Sequence, residues 1–203
     1  MILIRCSSAR QEKFQEFEKT GFEKVSFDKA MINGEEASKF FVKNIHIPYN
    51  PGPGGFPDGN VFVSFIISKT GQLDSISVIN EPNTIYEEIV LSAFKKSSGL
   101  WSPTRFDDLP LDKKYVAGFN FTVTNSVFYK KDKSFQYYKK GNMEKALKLI
   151  NEILNKDPYD IELYLDRALI YKKQNKHDLE NLDLAKCYEL NNTLLFDIWF
   201  QAN

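Results

Sequence analysis

The sequence predicts an α+β chain: a two-layer α/β unit with a three-stranded antiparallel sheet, followed by an all-α unit of helical repeats. Three observations carry this. Residues 61–68 and 115–123 alternate their side chains with the period of two that half-buried strands show. The stretch "EPNTIYEEIVLSAFKKSSG", residues 81–99 between them, repeats apolar positions at helical spacing. From residue 127 the composition turns to helix formers, and one pattern recurs after 34 residues. The implied divisions are an N-terminal segment of no assigned structure (1–33), the sheet domain (34–125), and two repeats plus a closing helix (126–203).

The elements follow in order. Residues 7–27 mix charges with Phe14, Phe17, Phe22 and Phe27, a weak pattern suggesting a helix and then an extended segment. Asn33 with Glu36 three residues on reads as a helix start, and Ala37, Phe40 and Phe41 then share one helical face. Pro48, Pro51, Pro53 and Pro57 stand among four glycines in residues 48–59, so a loop is expected there. Val61, Val63, Phe65 and Ile67 form one face of a first strand, "SKTGQ" supplies the turn, and Ile76 and Val78 continue a second strand. Asp74, Ser75 and Ser77 give that strand a wet face. Thr84 with Glu87 caps a helix lined by Ile85, Ile89, Ala93 and Phe94, and Gly99 sits where it should end. In the third strand Tyr115, Ala117, Phe119, Phe121 and Val123 face one way, and Val116, Gly118, Asn120 and Thr122 the other. This strand is long and free of proline. Unless a neighbour covers it, its outer edge is a pairing site.

Residues 35–123 resemble the C-terminal domain of TonB, the energy transducer of Gram-negative envelopes. The likeness lies in the helix "EEASKFFVKNI" with a proline after it, and in "GNVFVSFIISKTGQLDSISVIN" with its leading glycine, alternating strand, glycine turn and second strand. Trp101-Ser102-Pro103 and the closing strand "FNFTV" follow in the family's order. Two features depart from the pattern: the loop 48–59 is longer and richer in proline, and the helix opens "NTIYEEIV". The resemblance implies a periplasmic or cell-envelope adaptor that docks an extended segment of a TonB-dependent outer-membrane receptor as an added strand. Carried over, the docking edge would be the nine residues from Tyr115 to Val123. The competing reading is that the N-terminal segment or the repeats cover this edge. Trp101 and Pro103 are expected to pack the helix against the sheet. The family's anchor and proline-rich spacer have no counterpart in these residues, which suggests a fragment or an anchor-free relative.

"YYKKGNMEKALKLINEILNKDP" resembles a tetratricopeptide repeat, with Tyr137, Gly141, Ala146, Ile150, Ile153 and Pro158 at its marked positions. Adding 34 gives Tyr171, Asn175, Glu180, Leu184, Cys187 and Asn192, a second unit whose clearest defect is Glu180 in place of alanine. The stretch "TLLFDIWFQAN" would close the array as a helix, with Leu195, Ile198 and Trp199 packed inward. The groove of such repeats would present Phe135, Tyr138 and Lys139 from the first unit and Leu165, Leu169, Lys172 and Lys173 from the second. Aromatics beside lysines suit an acidic or C-terminal peptide segment; a solvated helix face with lysines in water is the plainer alternative.

Lys plus Arg and Asp plus Glu number 27 each, so no net charge draws the chain toward nucleic acid or an anionic membrane. No run is long and apolar enough to span a bilayer. Cys6 followed by Ser7 and Ser8 fits the lipidated cysteine of a bacterial lipoprotein, whereas Arg5 just before it argues against. Cys6 and Cys187 lack ligand spacing, "GPGG" lacks the lysine of a phosphate loop, and His46 and His177 have no partner at metal-ligand spacing. Carboxylate pairs such as Glu35-Glu36 and Glu87-Glu88 are explained by helix starts. Asp107-Asp108 sits in a loop. No cofactor and no catalysis are expected. The second reading of the whole chain is a non-transducing scaffold, in which the repeats recognise a partner and the sheet is a packing platform.

Overall fold

A computed structural model describes residues 2–3, 29–47, 57–80, 84–122 and 126–201. The fold is mixed α+β and divides into two units: residues 1–4, 25–123 and 193–203 form one, residues 5–24 and 124–192 the other.

The first unit is built on a five-stranded sheet of order β1-β10-β9-β4-β5. Its strands are β1 (Ile2–Leu3), β4 (Gly59–Ile67), β5 (Leu73–Val78), β9 (Lys113–Thr122) and β10 (Leu194–Gln201). The expected antiparallel trio is present as β5-β4-β9. The additional strand β10 lies parallel to β9, pairing Phe196 with Ala117 through Gln201 with Thr122. The closing helix expected at the C-terminus is therefore corrected to a strand. Phe196, Ile198 and Phe200 alternate with Asp197 and Trp199, and a short apolar run of this kind is helical or extended according to what it packs on.

Val61, Val63 and Phe65 on β4 register with Phe119, Ala117 and Tyr115 on β9, and together they make the buried face. Helices α1 (Ala37–Asn44) and α2 (Thr84–Ser97) supply Phe41, Tyr86, Val90, Ala93 and Phe94 to the same core. Phe41 packs its ring on Phe94 at 4.6 Å, Phe119 at 5.3 Å and Phe196 at 5.2 Å. Trp101 is buried, and its indole N–H donates to the Ser97 hydroxyl at 3.0 Å. That is the expected core role, with the one polar atom of the ring satisfied.

Five short strands complete the described part of this unit. β2 (Met31–Ile32) pairs with β3 (Glu35–Glu36) and with β6 (Trp101–Ser102). Asn33 and Gly34 form the tight turn between β2 and β3, both at positive φ (50° and 74°). The helix start expected at Asn33 is thus corrected: Asn-Gly favours a hairpin turn, and α1 begins only at Ala37. β7 (Thr104–Phe106) and β8 (Leu109–Leu111) form a separate two-stranded ribbon. The turn 68–72 requires glycine, because Gly71 has φ 80° and a side chain there would overlap the Trp101 carbonyl oxygen.

The second unit contains α3 (Ser126–Lys139), α4 (Met143–Leu154), α5 (Ile161–Lys173) and α6 (His177–Thr193). The 34-residue offset recurs in its hydrogen bonds. Gly141 N–H donates to the Tyr138 carbonyl and Asn142 N–H to Tyr137; Asn175 N–H donates to Lys172 and Lys176 N–H to Tyr171, all at 2.9–3.0 Å. Gly141 and Asn175 both hold positive φ, 76° and 56°. Asn is the residue besides Gly that takes this conformation readily. Asn142 caps α4 and Asp160 caps α5, each side-chain oxygen accepting a backbone N–H. Ala146, Ile150, Ile153, Leu163 and Ile170 fill the core of the unit.

Candidate functional site

The structure overturns the expectation of a free strand edge on β9. Of the nine residues from Tyr115 to Val123, the last lies outside the described residues. The other eight belong to β9, which pairs with β4 on one flank and β10 on the other. The docking edge is already filled by this chain. Its occupant resembles an added strand in every physical respect: it comes from the far end of the sequence, runs parallel, and seats Ile198 and Phe200 in the core. A long apolar edge without proline invites such a neighbour. The second face of β9 is closed as well, since Gly118, Asn120 and Thr122 are buried. There the Asn120 side-chain amide donates to Asp197 Oδ1 at 2.6 Å, and Thr122 Oγ1 donates to Asp58 at 3.2 Å.

The outer strand β5 has a different character. It is mostly exposed and carries a register irregularity opposite Phe65, with Ser75 at φ 53°. A bulge in an edge strand twists it away from further pairing. Where β5 stops, Asn80 continues the ladder with its side chain, accepting from Phe62 N at 2.7 Å and donating to the Asn60 carbonyl at 3.0 Å.

The residues expected to line the repeat groove separate into two groups. Leu165 is buried and Leu169 half-buried. Phe135, Tyr138, Lys139 and Lys173 come together. The Phe135 and Tyr138 rings lie 6.4 Å apart with their planes nearly parallel, Lys139 Nζ stands 4.5 Å over Phe135, and Lys173 Nζ stands 4.2 Å over Tyr138. The last of these joins α5 to α3. Lys172, beside them, is exposed. Lys139 and Lys173 end their helices, where the unpaired carbonyls favour a cation. Among the described residues none of Lys139, Lys172 and Lys173 makes an ion pair with a carboxylate.

Other charges of this unit are spent on the fold. Arg167 holds Asp183 through two nitrogens, at 2.9 and 2.7 Å, and reaches Asn151 at 2.6 Å. This carboxylate contact pushes the guanidinium above its ordinary range. Lys131 pairs with the buried Asp160, and Lys130 with Glu152 at 3.0 Å. Contact with Lys130 lowers the Glu152 carboxyl. Burial pushes the Cys187 thiol up to about 12, so it is a neutral packing group. A neighbouring pair escaped the sequence reading: Tyr129 is exposed, with Lys133 Nζ 5.4 Å over its ring. The spacing of four residues on one helix was the available signal.

Among the described residues no helix is long and apolar enough to cross a membrane. They also hold no group of three or more His, Cys, Asp or Glu that could bind a metal ion. Comparison of the chain with family models, with curated proteins and with solved structures gives no match in any of the three.

Proposed function

We propose that this chain is a protein-binding adaptor whose recognition surface lies on the helical unit, at Phe135, Tyr138, Lys139, Lys172 and Lys173. The ligand class is an extended peptide carrying carboxylates beside apolar side chains. One observation carries the reading: two lysines stand over the exposed Phe135 ring and the half-buried Tyr138 ring, without carboxylate partners among the described residues. Aromatic faces supply contact area at little entropic cost, and the unpaired ammonium groups select negative charge. The sheet unit then serves as a platform, as the scaffold reading of the sequence has it. Transducer-type docking on β9 is not proposed, because β10 stands in that place.

The test uses the full-length chain and a fluorescent extended peptide that alternates Glu with Leu or Phe. A peptide with Lys for Glu is the control. The acidic peptide should bind, lose about tenfold in affinity when Lys139 and Lys173 are both changed to Ala, and weaken as salt rises. Equal affinity for the two peptides, or no effect of the double substitution, overturns the proposal.

A further inference from the structure

The β7–β8 ribbon combines features that the platform role does not use. Its base is anchored: Thr104 is fully buried and hydrogen-bonded to the Tyr115 hydroxyl inside the core. Its tip projects. Phe106 and Leu109 face each other across the ribbon and are 42% and 70% exposed, the larger value being the highest among the exposed large hydrophobics of the described residues. Between them stand Asp107 and Asp108, both at positive φ (46° and 63°). Asn-Gly would make this turn with less strain. Arg105 holds the turn by donating to the Asp108 carbonyl at 2.6 Å. The result is a rigid finger whose four tip residues offer two carboxylates flanked by two apolar side chains.

The lysine–aromatic surface of the helical unit is the chemical complement of that tip. We infer that the finger of one copy of this chain docks on the Phe135–Tyr138–Lys139–Lys173 surface of a second copy. Asp107 and Asp108 would meet the ammonium groups, and Phe106 and Leu109 would cover the rings. This inference rests on the proposed function and names an occupant for its site. The two surfaces differ, so the contact is head-to-tail and can extend to further copies unless the rotation closes it. The area a four-residue tip buries is small, which sets the expected strength at the weak end of specific contacts.

The experiment uses two full-length variants. One reverses the finger, Asp107→Lys with Asp108→Lys; the other reverses the groove, Lys139→Asp with Lys173→Asp. Sedimentation velocity is recorded from about 10 µM to about 1 mM, a range in which a weak contact becomes populated. Wild type should associate with concentration and lose that association at high salt. Each variant alone should sediment as a monomer. Their mixture should associate, because the native finger of one meets the native groove of the other and the two reversed surfaces are again opposite in charge. A third variant, Phe106→Ser with Leu109→Ser, keeps the acidic turn and should weaken association at least tenfold. Wild type that stays monomeric at the highest concentration, a mixture that does not associate, or full association of the serine variant each overturns the inference. The acidic-peptide assay separates the two claims: if the peptide binds while the chain stays monomeric, only the self-docking fails.

Discussion

Replacing Gly118 by Ala tests the pairing that removes the strand edge. An ideal Cβ on Gly118 would overlap Asp197 Oδ1, and would stand 3.2 Å from Asp197 Cγ and 3.3 Å from Phe62 Cε1. Phe62 is core-packed and cannot withdraw, so the Asp197 side chain must swing. That breaks the 2.6 Å bond from the Asn120 amide, in a residue only 2% exposed. Loss of a hydrogen bond to a charged acceptor costs about 1.5–3 kcal/mol. The stiffer unfolded chain of an alanine variant offsets about 0.4–1 kcal/mol of this. A net destabilisation of about 1–2 kcal/mol is expected, measured by urea denaturation of the full-length chain. Asp197→Ala removes the same acceptor by another route. The two substitutions together should therefore cost about 1 kcal/mol less than the sum of their separate effects. A Gly118→Ala variant as stable as wild type, with strictly additive behaviour in the pair, would mean that residues 118 and 197 are not neighbours. The β10 assignment would fall with that result.

Two further predictions concern titrating groups. Burial raises the Tyr115 phenol above its ordinary 10.0, against the lowering effect of its bonds with Thr104 and the Ala30 N–H, and burial with the nearby Asp58 charge raises Tyr86. A folded value above the unfolded one means the folded state keeps a proton that the unfolded chain releases. Stability is thus full below pH 10 and falls as pH rises through the folded values, by up to about 1.4 kcal/mol per pH unit for each such tyrosine. Urea melts at increasing alkaline pH should show this slope, and Tyr115→Phe should make it shallower; an unchanged slope in that variant would exclude Tyr115 as a source. Cys187, with its thiol pushed up to about 12, should react with a disulfide reagent near neutral pH only after denaturation in a Cys6→Ser background. Rapid reaction of the native variant would contradict its burial.

Much of this fold was legible because single residues carried sufficient physical information. The alternations 61–67 and 115–122 gave two strands with the right faces, and the glycine of "SKTGQ" marked the turn in which Gly71 holds positive φ. The 34-residue offset was legible down to the positive-φ residue, Gly141 in one copy and Asn175 in the other. Where the reading failed, two local signals competed. Asn33 precedes Glu36 at capping spacing but also precedes Gly34, and the hairpin turn won because β6 supplies a strand for β2 to pair with. Residues 194–201 are too short and too apolar to declare a period. They became a strand because β9 had an unsatisfied row of backbone groups, a long-range fact that no local window contains. In the candidate site, Phe135 with Lys139 and Tyr129 with Lys133 are visible at a spacing of four. Lys173 over Tyr138 needed the two helices to meet.

The position of β10 also changes what the chain is as an object. Parallel neighbours in a sheet cannot be joined by a tight turn and need a crossover connection of a dozen or more residues. Between β9, which ends at Thr122, and β10, which begins at Leu194, that connection is the helical unit itself. The helical unit is therefore inserted between two adjacent strands of the sheet rather than appended after it. Removing residues 194–201 would reopen the flank of β9 and strip Ile198, Phe200 and Phe196 from the core, at roughly 1.5–3 kcal/mol for each large apolar side chain lost. A chain ending at residue 125 lacks β10. With β10 on its flank the edge of β9 is closed, and on the proposed function contact falls to the aromatic and lysine side chains of the helices and to the finger at 104–111.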